Sequence, residues 1–451
     1  MYVPNRGEHL QEMLERIGVA SVDELFADIP ESVRLREPLH IPGPLTEWEL
    51  ARHVRSLAQK NRSLSQLISF LGAGCYDHHV PAAVNHLLRR SEFSTAYTPY
   101  QPEVSQGTLQ AIFEYQTYVV RLTGMEVANA SMYDGATALA EAVLMAQRVR
   151  RGRKQVILSR TVHPEYRHVV RTLIDPLGLD IEEPAATEAL EADWASISDV
   201  VNNETSCVVI QNPNFFGTIE DLSKLKQLAQ KAHEVEALLI VVVVEPLSLG
   251  VLVPPGHYGA DIVVAEGQSF GISPSFGGPH LGMFATRAAM VRQMPGRLVG
   301  QTRDTNGIRG YVLTLATREQ HIRRERATSN ICTNQSLCAL AVAIYLSLLG
   351  RCGLQALAAQ NLKRAHEAMQ ALNELPGFQV MQNRCFNEFV VKPPVSPDLL
   401  NRKLLGKGIL GGLDLSRSDP SWEGLWLLCC TEKTHLGDIE RLTRTIQEVM
   451  A

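Results

Sequence analysis

The segment DIVVAEGQSFGISPSFGGPHLG, residues 261–282, joins an apolar, strand-like run to a loop of Gly, Ser, Gln and Pro. In many enzymes such a loop carries the lysine that holds pyridoxal phosphate as a Schiff base. Here the loop begins Glu-Gly-Gln-Ser, with Gln268 as its third residue. No lysine lies between positions 231 and 363, so no late strand of a sheet can deliver one. The sequence therefore excludes Schiff-base chemistry at this place.

A predicted helix start in YDGATALAEA is a second candidate site. Gly135 and Thr137 stand in its first turn, where free backbone N–H groups favour an anion such as a phosphate. The alternative is an ordinary helix capped by Asp134, whose carboxylate would compete with a bound phosphate. Glu245 follows four valines at a strand end. Its carboxylate can pair with a protonated pyridine nitrogen or form a simple salt bridge.

Four histidines are further candidates. His163 and His257 stand alone at the predicted rim of the sheet, where a hydrogen-bonded structural role is the more common alternative to catalysis. His78 and His79 are adjacent in CYDHHVP. Because neighbouring residues of an extended chain point to opposite sides, we expect only one of this pair to face a given pocket.

Two polar segments are candidates for a pocket or an interface. SEFSTAYTPYQPEVSQG combines Tyr97, Tyr100 and Gln101 with two prolines that stiffen the backbone, and the alternative is a packed surface loop. TREQHIRRERATSN is rich in arginine, which binds carboxylates and phosphates bidentately. The alternative is a solvated, salt-bridged helix end. Its arginines are Arg318, Arg323, Arg324 and Arg326.

The elements that must position these residues alternate between strand and helix. An amphipathic helix is predicted from an N-cap at Ser105 to Gly124, and short strands and helices follow it. ALLIVVVV is continuously apolar, as expected for a strand buried on both faces. The pattern predicts an α/β fold with a mainly parallel sheet, whose ligands lie at the carboxyl ends of the strands. The residues that this places at one rim are Asp134, His163, Asn214, Glu245 and Gln268.

The chain divides into three predicted parts. Residues 1–70 form a helical N-terminal extension, with helical spacing near residues 10–17 and again over 45–71. Residues 71–324 form the large α/β domain. Residues 325–451 form a smaller α+β domain that begins with helices over 333–350 and 354–374. The apolar run in the first of these helices is short for a membrane span and predicts a buried core helix.

Composition narrows the class of protein. The 451 residues are 45% hydrophobic and 20% charged, with a net charge of −5, which favours neither nucleic acid nor an anionic membrane as partner. The eight cysteines include no CxxC pair, so we expect free thiols in a reducing cytosol and no metal site. The first residues lack the basic and apolar pattern of a signal peptide. We therefore expect a cytoplasmic location.

Five longer stretches together resemble one family. These stretches are LGAGCYDHHVPAAV, YTPYQPEVSQGTLQAIFEYQT, MYDGATALAEA, EGQSFGISPSFGGPHLGMFA and TREQHIRRERATSNICTNQ. The chain resembles the P-protein of the glycine cleavage system, and within it the alpha subunit, or subunit 1, of the split bacterial form. The resemblance runs nearly the whole length of the chain.

The resemblance implies a fold and a division of labour. The fold would be that of fold-type I pyridoxal-phosphate transferases, similar to aspartate aminotransferase, in an α₂β₂ assembly. The beta subunit would carry pyridoxal phosphate on the lysine of a His-Lys pair, a position that Gly267-Gln268 occupies here. Glu245 would replace the aspartate that pairs with the pyridine nitrogen. With Gly135 and Thr137, these positions would be a degenerate cofactor site.

The family reaction implies further partners. Glycine loses carbon dioxide on pyridoxal phosphate in the beta subunit, and the aminomethyl group passes to the lipoyl group of H-protein. The isolated chain would be inactive and would bind no cofactor or metal. The residues expected to shape the contact between subunits, where the active site lies, are Tyr97, Tyr100, Gln101, Glu103, Arg323 and Arg324.

Two other functional hypotheses for this chain are compatible with its sequence. It can be a purely structural or regulatory subunit of the same complex, contributing an interface and a docking surface. Alternatively, it can be a free-standing aminotransferase or decarboxylase that uses a lysine elsewhere, such as Lys231. The second alternative predicts cofactor absorbance from the chain alone.

Overall fold

The computed structural model describes residues 5–94 and 97–450, in two compact units that divide after Arg62. The first unit contains two helices, α1 (Glu8–Ile17) and α2 (Glu47–Ala58), and 3₁₀ turns at Val22–Phe26 and Glu31–Val33. Its large apolar side chains are mostly exposed.

The predicted helix over 45–71 is wrong beyond residue 58. α2 begins at a capping box, in which Thr46 and Glu49 bond to each other's backbone N–H groups, and ends at Ala58. The following residues are polar, and their side chains bond locally. The N–H of Ser63 donates to Oε1 of Gln66, and the Ser63 hydroxyl bonds to Ser65. These local bonds compete with helical ones.

The second unit begins at Ser63 and contains most of the secondary structure. Its helices are α3 (Ala82–Leu88), α4 (Gln106–Thr123), α5 (Gly135–Val149), α6 (Pro164–Ile174), α7 (Trp194–Val200), α8 (Leu222–Glu234), α9 (Gln320–Arg323), α10 (Ser336–Asn373), α11 (Pro397–Gly406) and α12 (Leu436–Met450). Its 3₁₀ turns are Pro102–Val104, Asp175–Leu177, Pro246–Gly250, Pro255–Tyr258, Ala288–Gln293, Ala316–Arg318, Arg324–Arg326, Leu415–Arg417 and Pro420–Trp422.

Fifteen strands complete the second unit within the described residues. They are β1 (Ile68–Ser69), β2 (Val127–Ala128), β3 (Gln155–Leu158), β4 (Asp180–Glu182), β5 (Thr205–Gln211), β6 (Leu238–Val243), β7 (Ile262–Glu266), β8 (Gly282–Thr286), β9 (Leu298–Arg303), β10 (Arg309–Thr314), β11 (Gln379–Val380), β12 (Glu388–Lys392), β13 (Ile409–Leu410), β14 (Leu413–Asp414) and β15 (Trp426–Cys429).

Seven strands form the central sheet, in the order β2-β8-β7-β6-β5-β3-β4. The strands β4, β3, β5, β6 and β7 pair in parallel, while β8 pairs antiparallel with both β7 and the edge strand β2. This confirms the predicted mainly parallel α/β sheet. Every residue of β5, β6 and β7 is buried, and for β6 this confirms the prediction from the continuously apolar run ALLIVVVV.

The central sheet is covered on both faces. Alternate residues such as Val241 and Val243 pack towards α4, α8 and α10, while Ile240 and Val242 pack towards α5 and α6. Each buried Val or Ile side chain contributes about 1.5–3 kcal/mol relative to exposure, so the strand residues together hold the loops at their ends firmly in place.

A second, antiparallel sheet has the order β11-β12-β15-β14. It packs with α10, α11 and α12 around Phe389, Trp426 and Leu442. The strands β11, β12 and β15 lie in the segments FQVM, NEFVVK and GLWLLCC. β1 pairs with β13 in this part of the chain. The division of the chain after residue 324 stays a prediction, because residues 63–451 form one compact unit.

The long apolar helix α10 belongs to the core. Within the described residues it is the one helix whose length and composition would allow a membrane span. Gly350, with φ 58° and ψ −173°, breaks it into two parts, close to the two helices predicted from the sequence. In the first part Val342 and Tyr345 are buried in the core beside the sheet, as predicted for a core helix.

Candidate functional site

Polar residues gather where the parallel strands end. His163 follows β3, Glu245 follows β6 and Gln268 follows β7, so all three lie at the carboxyl edge of the sheet, as predicted. Asp134 stands at the start of α5 and is its N-cap, with Oδ1 accepting the N–H of Thr137 at 2.8 Å. The first turn of α5 is therefore capped by Asp134, which was the alternative to a phosphate site.

Two predicted rim residues do not join the others. Asn214 follows β5, but its amide donates to Leu190 O and to Glu220, each at 2.8 Å, and so stabilises its own loop. His257 was expected at the same rim, and this is wrong. It precedes β7 in the turn Pro255–Tyr258, and therefore lies at the opposite, amino-end edge of the sheet.

Gln268, which stands where a Schiff-base lysine was sought, is almost completely buried. Its Oε1 accepts the N–H of Tyr76 at 2.9 Å, and its Nε2 donates to the Tyr76 carbonyl at 3.0 Å and to the Ile272 carbonyl at 2.5 Å. A side-chain amide offers both a donor and an acceptor, so it pairs with a backbone as another strand would. Gln268 thus fastens the segment around Tyr76 across the end of β7.

Glu245 is paired inside the chain with His78. Nε2 of His78 donates to Glu245 Oε2 at 2.9 Å, and Nδ1 donates to Glu432 Oε2 at 2.8 Å. All three side chains are less than a tenth exposed. Ser269 also donates to Glu245, at 3.0 Å. His79, the neighbour of His78, is exposed, which fits the expectation that the two point apart.

The charges of this triad reinforce one another. Burial alone lowers the pKa of His78, but the carboxylates of Glu245 and Glu432 raise it to about 10. Burial alone raises the pKa of Glu432, but hydrogen bonding and attraction to His78 lower it to about 2. His78 is therefore an imidazolium held between two carboxylates at neutral pH.

Glu266 is the last residue of β7 and reaches the start of α5. Its Oε2 accepts the N–H of Gly135 at 2.9 Å, and its Oε1 accepts the N–H groups of Gln268 at 3.1 Å and Leu281 at 2.9 Å. The side chain is 3% exposed. A helix start attracts anions because its N–H groups are free and its dipole is positive there. In this chain the anion is the Glu266 carboxylate.

A loop around Ala73 covers the same region. Nε2 of His163 donates to the Ala73 carbonyl at 3.0 Å, and Nδ1 accepts the N–H of Glu165 at 3.2 Å, which describes a neutral imidazole. Burial lowers the pKa of His163 in agreement with this. Glu388 accepts the N–H of Ala73 at 2.6 Å and the hydroxyl of Tyr76 at 2.7 Å. Burial raises the pKa of Glu388 to about 7.

The two surface segments are exposed, unlike this buried cluster. Tyr97 is 81% exposed and Tyr100 60%, and Gln101 and Glu103 are exposed beside them, while Thr95 and Ala96 lie outside the described residues. Arg323 and Arg324 are exposed at the end of α9, as in the solvated alternative.

Arg318 differs from its neighbours in the same segment. Its guanidinium donates to the carbonyls of Met294 and Gly296 and so ties the segment to the loop before β9. The remaining arginine, Arg326, is exposed.

Comparison with known proteins identifies the family. A family model described as glycine cleavage system P-protein matches residues 1–446. A probable glycine dehydrogenase (decarboxylating) subunit 1 of Desulforamulus reducens is 52% identical over 442 residues, 98% of each chain. The chain belongs to the glycine cleavage system P-protein family. Because these matches extend over nearly the whole chain, they include both units and all residues of the candidate site.

Solved structures agree with the family. A crystal structure of glycine decarboxylase (P-protein) of the glycine cleavage system, in inhibitor-bound form, matches with a TM-score of 0.89 and 45% identity over all of both chains. A sphingosine-1-phosphate lyase of Burkholderia pseudomallei, 19% identical, matches with a TM-score of 0.67 over 94% of each chain and shows the fold alone. The fold is that of fold-type I pyridoxal-phosphate-dependent enzymes, as predicted.

The residues of this P-protein chain do not fit pyridoxal phosphate. The cofactor needs a lysine, an anion site for its phosphate and a carboxylate for its pyridine nitrogen. Here the loop after β7 carries Gln268 and no lysine, the Glu266 carboxylate bonds to the helix start, and the imidazolium of His78 bonds to Glu245. Lys231 lies in the last turn of α8, which leads into the amino end of β6 and not to the carboxyl ends of the strands. We therefore assign no step of catalysis to a cofactor in this pocket.

Several of these residues are not distinguished by any pattern in the sequence. Glu432 and Glu388 are more than 300 residues from their partners His78 and Tyr76, so no spacing connects them. The sequence does contain a signal for Glu266. It is an acidic residue at the end of a strand-like run, directly before the loop that lacks a lysine.

Proposed function

We propose that this chain is the subunit of glycine decarboxylase that does not anchor pyridoxal phosphate. In this proposal a homologous beta subunit holds the cofactor, and the two chains form an α₂β₂ complex. The complex decarboxylates glycine and transfers the aminomethyl group to the lipoyl group of H-protein. The proposal rests above all on the pocket that Glu266, Gln268 and His78 fill from within, in a chain that otherwise keeps the family fold.

Exposed apolar residues support a partner chain. In the helical unit of residues 5–62, Phe26 is 47% exposed and Trp48 64%, and Val33, Leu35 and Ile41 are exposed as well. Large apolar surfaces of this kind mark interaction sites in soluble proteins. We therefore propose that this unit packs against the beta subunit.

The contribution of this chain to the reaction is to shape the contact at the active site. Pyridoxal phosphate supplies the electron sink for the loss of carbon dioxide from glycine when it is bound in the beta subunit. Tyr97 and Tyr100 offer aromatic surface on a proline-stiffened loop, and Arg323 and Arg324 offer cations. We propose that these residues, with Gln101 and Glu103, line that contact and position the bound substrate.

The test is reconstitution from purified chains. Release of carbon dioxide from carboxyl-labelled glycine is measured with this chain alone, with the lysine-bearing partner alone and with both, each in the presence of lipoylated H-protein. We expect turnover only from the mixture. If the partner alone turned over glycine as fast as the mixture, the proposed catalytic contribution of this chain would be wrong. Turnover from this chain alone would indicate an independent enzyme.

Substitutions then separate an active-site contribution from a structural one. Tyr97→Ala and Gln101→Ala should lower turnover while the complex still elutes as one species in size-exclusion chromatography. Leu173→Ala, which truncates an exposed apolar residue on α6, is the matched control and should leave both unchanged. If the two substitutions weaken only the assembly, the chain has a structural or regulatory role in the complex instead.

The cysteines support a reducing compartment. All eight are free thiols, and Cys207, Cys385, Cys429 and Cys430 are buried. Free thiols persist in the reducing cytosol, where disulfides are rare. We therefore propose that the complex works in the cytoplasm.

A further inference from the structure

Arg297 is a buried arginine just before β9 that joins three separate segments. Its side chain is 4% exposed. One guanidinium nitrogen, Nη2, donates to the Tyr100 hydroxyl at 3.2 Å and to the Cys332 carbonyl at 3.1 Å. The other, Nη1, donates to the side chains of Thr98 at 3.3 Å, Thr333 at 3.0 Å and Asn334 at 3.4 Å.

The charge of Arg297 is balanced by Glu319. Nε lies 3.5 Å from Glu319 Oε2, and the Glu319 side chain is 9% exposed. Glu319 is the N-cap residue of α9 and directly precedes the stretch that carries Arg323 and Arg324. Because a buried cation requires its anion nearby, the pair fixes the start of this arginine-bearing segment relative to Arg297.

The group is anchored to the main sheet. The carbonyl of Arg297 accepts the N–H of Ala130 at 2.8 Å, and Nδ2 of Asn334 donates to the Ala130 carbonyl at 3.1 Å. The N–H of Gln335 donates to the hydroxyl of Ser131 at 2.9 Å. Ala130 and Ser131 follow β2, so the position of Arg297 is set by the sheet and not by the surface loops.

The Arg297 guanidinium fixes the orientation of the Tyr100 side chain. Its ring is 60% exposed, yet the Arg297 guanidinium bonds to its hydroxyl and lies 5.5 Å from its ring centroid. An exposed aromatic side chain that is already held in one orientation loses little conformational entropy when it meets a partner or ligand. The sequence around Arg297, MPGRLVG, contains no pattern that distinguishes it from other arginines.

We propose that Arg297 is a positioning residue of the decarboxylase, which holds Tyr100 and the segment from Glu319 to Asn334 in the arrangement that the active site at the subunit contact requires. This inference rests on the proposed function. It adds that the exposed candidates are arranged by one buried guanidinium with several hydrogen bonds, a task for which an ammonium group lacks the geometry.

The test uses kinetics of the reconstituted complex. Arg297→Lys keeps the charge but cannot reach all the acceptors, so kcat/KM for glycine should fall at least about tenfold, since a misplacement of 1 Å costs up to about a hundredfold. Arg167→Lys is the matched control, because Arg167, on α6, is also buried but bonds to Val162 O and Glu183 instead of to the segments that Arg297 joins. It should change kcat/KM by less than about twofold.

A double-substitution cycle separates positioning from general damage. Tyr100→Phe removes the hydroxyl that Arg297 bonds. If Arg297 acts through Tyr100, the loss in the double variant is smaller than the product of the two single losses. Should Arg297→Lys fail to assemble, Thr333→Val removes a single acceptor of the same guanidinium and takes its place in the cycle.

The outcomes are distinct from those of the proposed function. Wild-type turnover with an unchanged Arg297→Lys variant would overturn the positioning role while leaving the function intact. Losses that multiply in the double variant would overturn the positioning of Tyr100, because they show that Arg297 does not act through its hydroxyl. Absence of turnover from the wild-type mixture would instead overturn the proposed function itself.

Discussion

Replacement of His78 by Gln tests the interpretation of the buried triad. The imidazolium bonds to Glu245 at 2.9 Å and to Glu432 at 2.8 Å, and both carboxylates are less than a tenth exposed. Without the cation, two carboxylates remain buried and unpaired, which costs about 3–5 kcal/mol. Because about 1 kcal/mol shifts the Tm of a large domain by roughly 2 °C, we expect His78→Gln to lower Tm by roughly 6–10 °C.

The effect depends on pH in a defined direction. The folded pKa of His78 is raised from 6.5 to about 10, so its stabilisation is complete below about 6.5 and is lost as the pH rises through 10. The pKa of Glu432 is lowered from 4.5 to about 2, so its stabilisation is present above about 4.5 and is lost as the pH falls through 2. The difference in Tm between wild type and variant is therefore largest between about pH 4.5 and 6.5.

The assay is thermal unfolding of the purified chain followed by circular dichroism from pH 4.5 to 10. His168→Gln is the matched control, because His168 is exposed on α6 and makes only a 3.9 Å contact with Glu165. It should change Tm by less than about 1 °C. A difference below about 2 °C for His78→Gln at pH 6, or one that persists undiminished at pH 10, would refute the imidazolium assignment.

Two further predictions concern the filled cofactor pocket. The variant Gln268→Lys, incubated with pyridoxal phosphate and desalted, should show no aldimine absorbance near ~400 nm, because the Glu266 carboxylate still bonds to the start of α5. A stable band would show that the lysine was the only missing part of the site. Gly135→Ala should destabilise the chain by about 1–3 kcal/mol, because the new Cβ would lie 2.3 Å from the Tyr166 hydroxyl. The control Gly437→Ala, in α12, places its Cβ in open space and should not lower Tm. Equal Tm values for the two variants would contradict this geometry.

Local patterns predicted the central elements well. Runs such as Leu238–Val243 are apolar at every position, which requires burial on both faces, and the structure has β6 there. Asp134 capped its helix as its position before Gly135 suggested, and Gly124 ended α4 in a left-handed conformation. The missing lysine excluded one chemistry from the sequence alone, since absence of a residue type needs no three-dimensional information.

Features that depend on distant residues could not be predicted. The triad joins His78, Glu245 and Glu432, which are brought together only when the sheet and the C-terminal strands fold. The last half of β9, residues 301–303, is polar and exposed, and no strand was predicted there. His257 was expected at the carboxyl edge, but it precedes β7, and the residues that precede a parallel strand lie at the amino edge of the sheet.

The most direct test of the central claim is a visible absorbance spectrum of this chain, purified alone, incubated with excess pyridoxal phosphate and desalted. We predict no band near ~400 nm, because the loop after β7 has Gln268 and no lysine, Glu266 bonds to the start of α5, and His78 bonds to Glu245. The lysine-bearing partner, treated in the same way, should retain the band. A stable band from this chain alone would contradict the account, because it would require a Schiff-base lysine in a pocket that contains none.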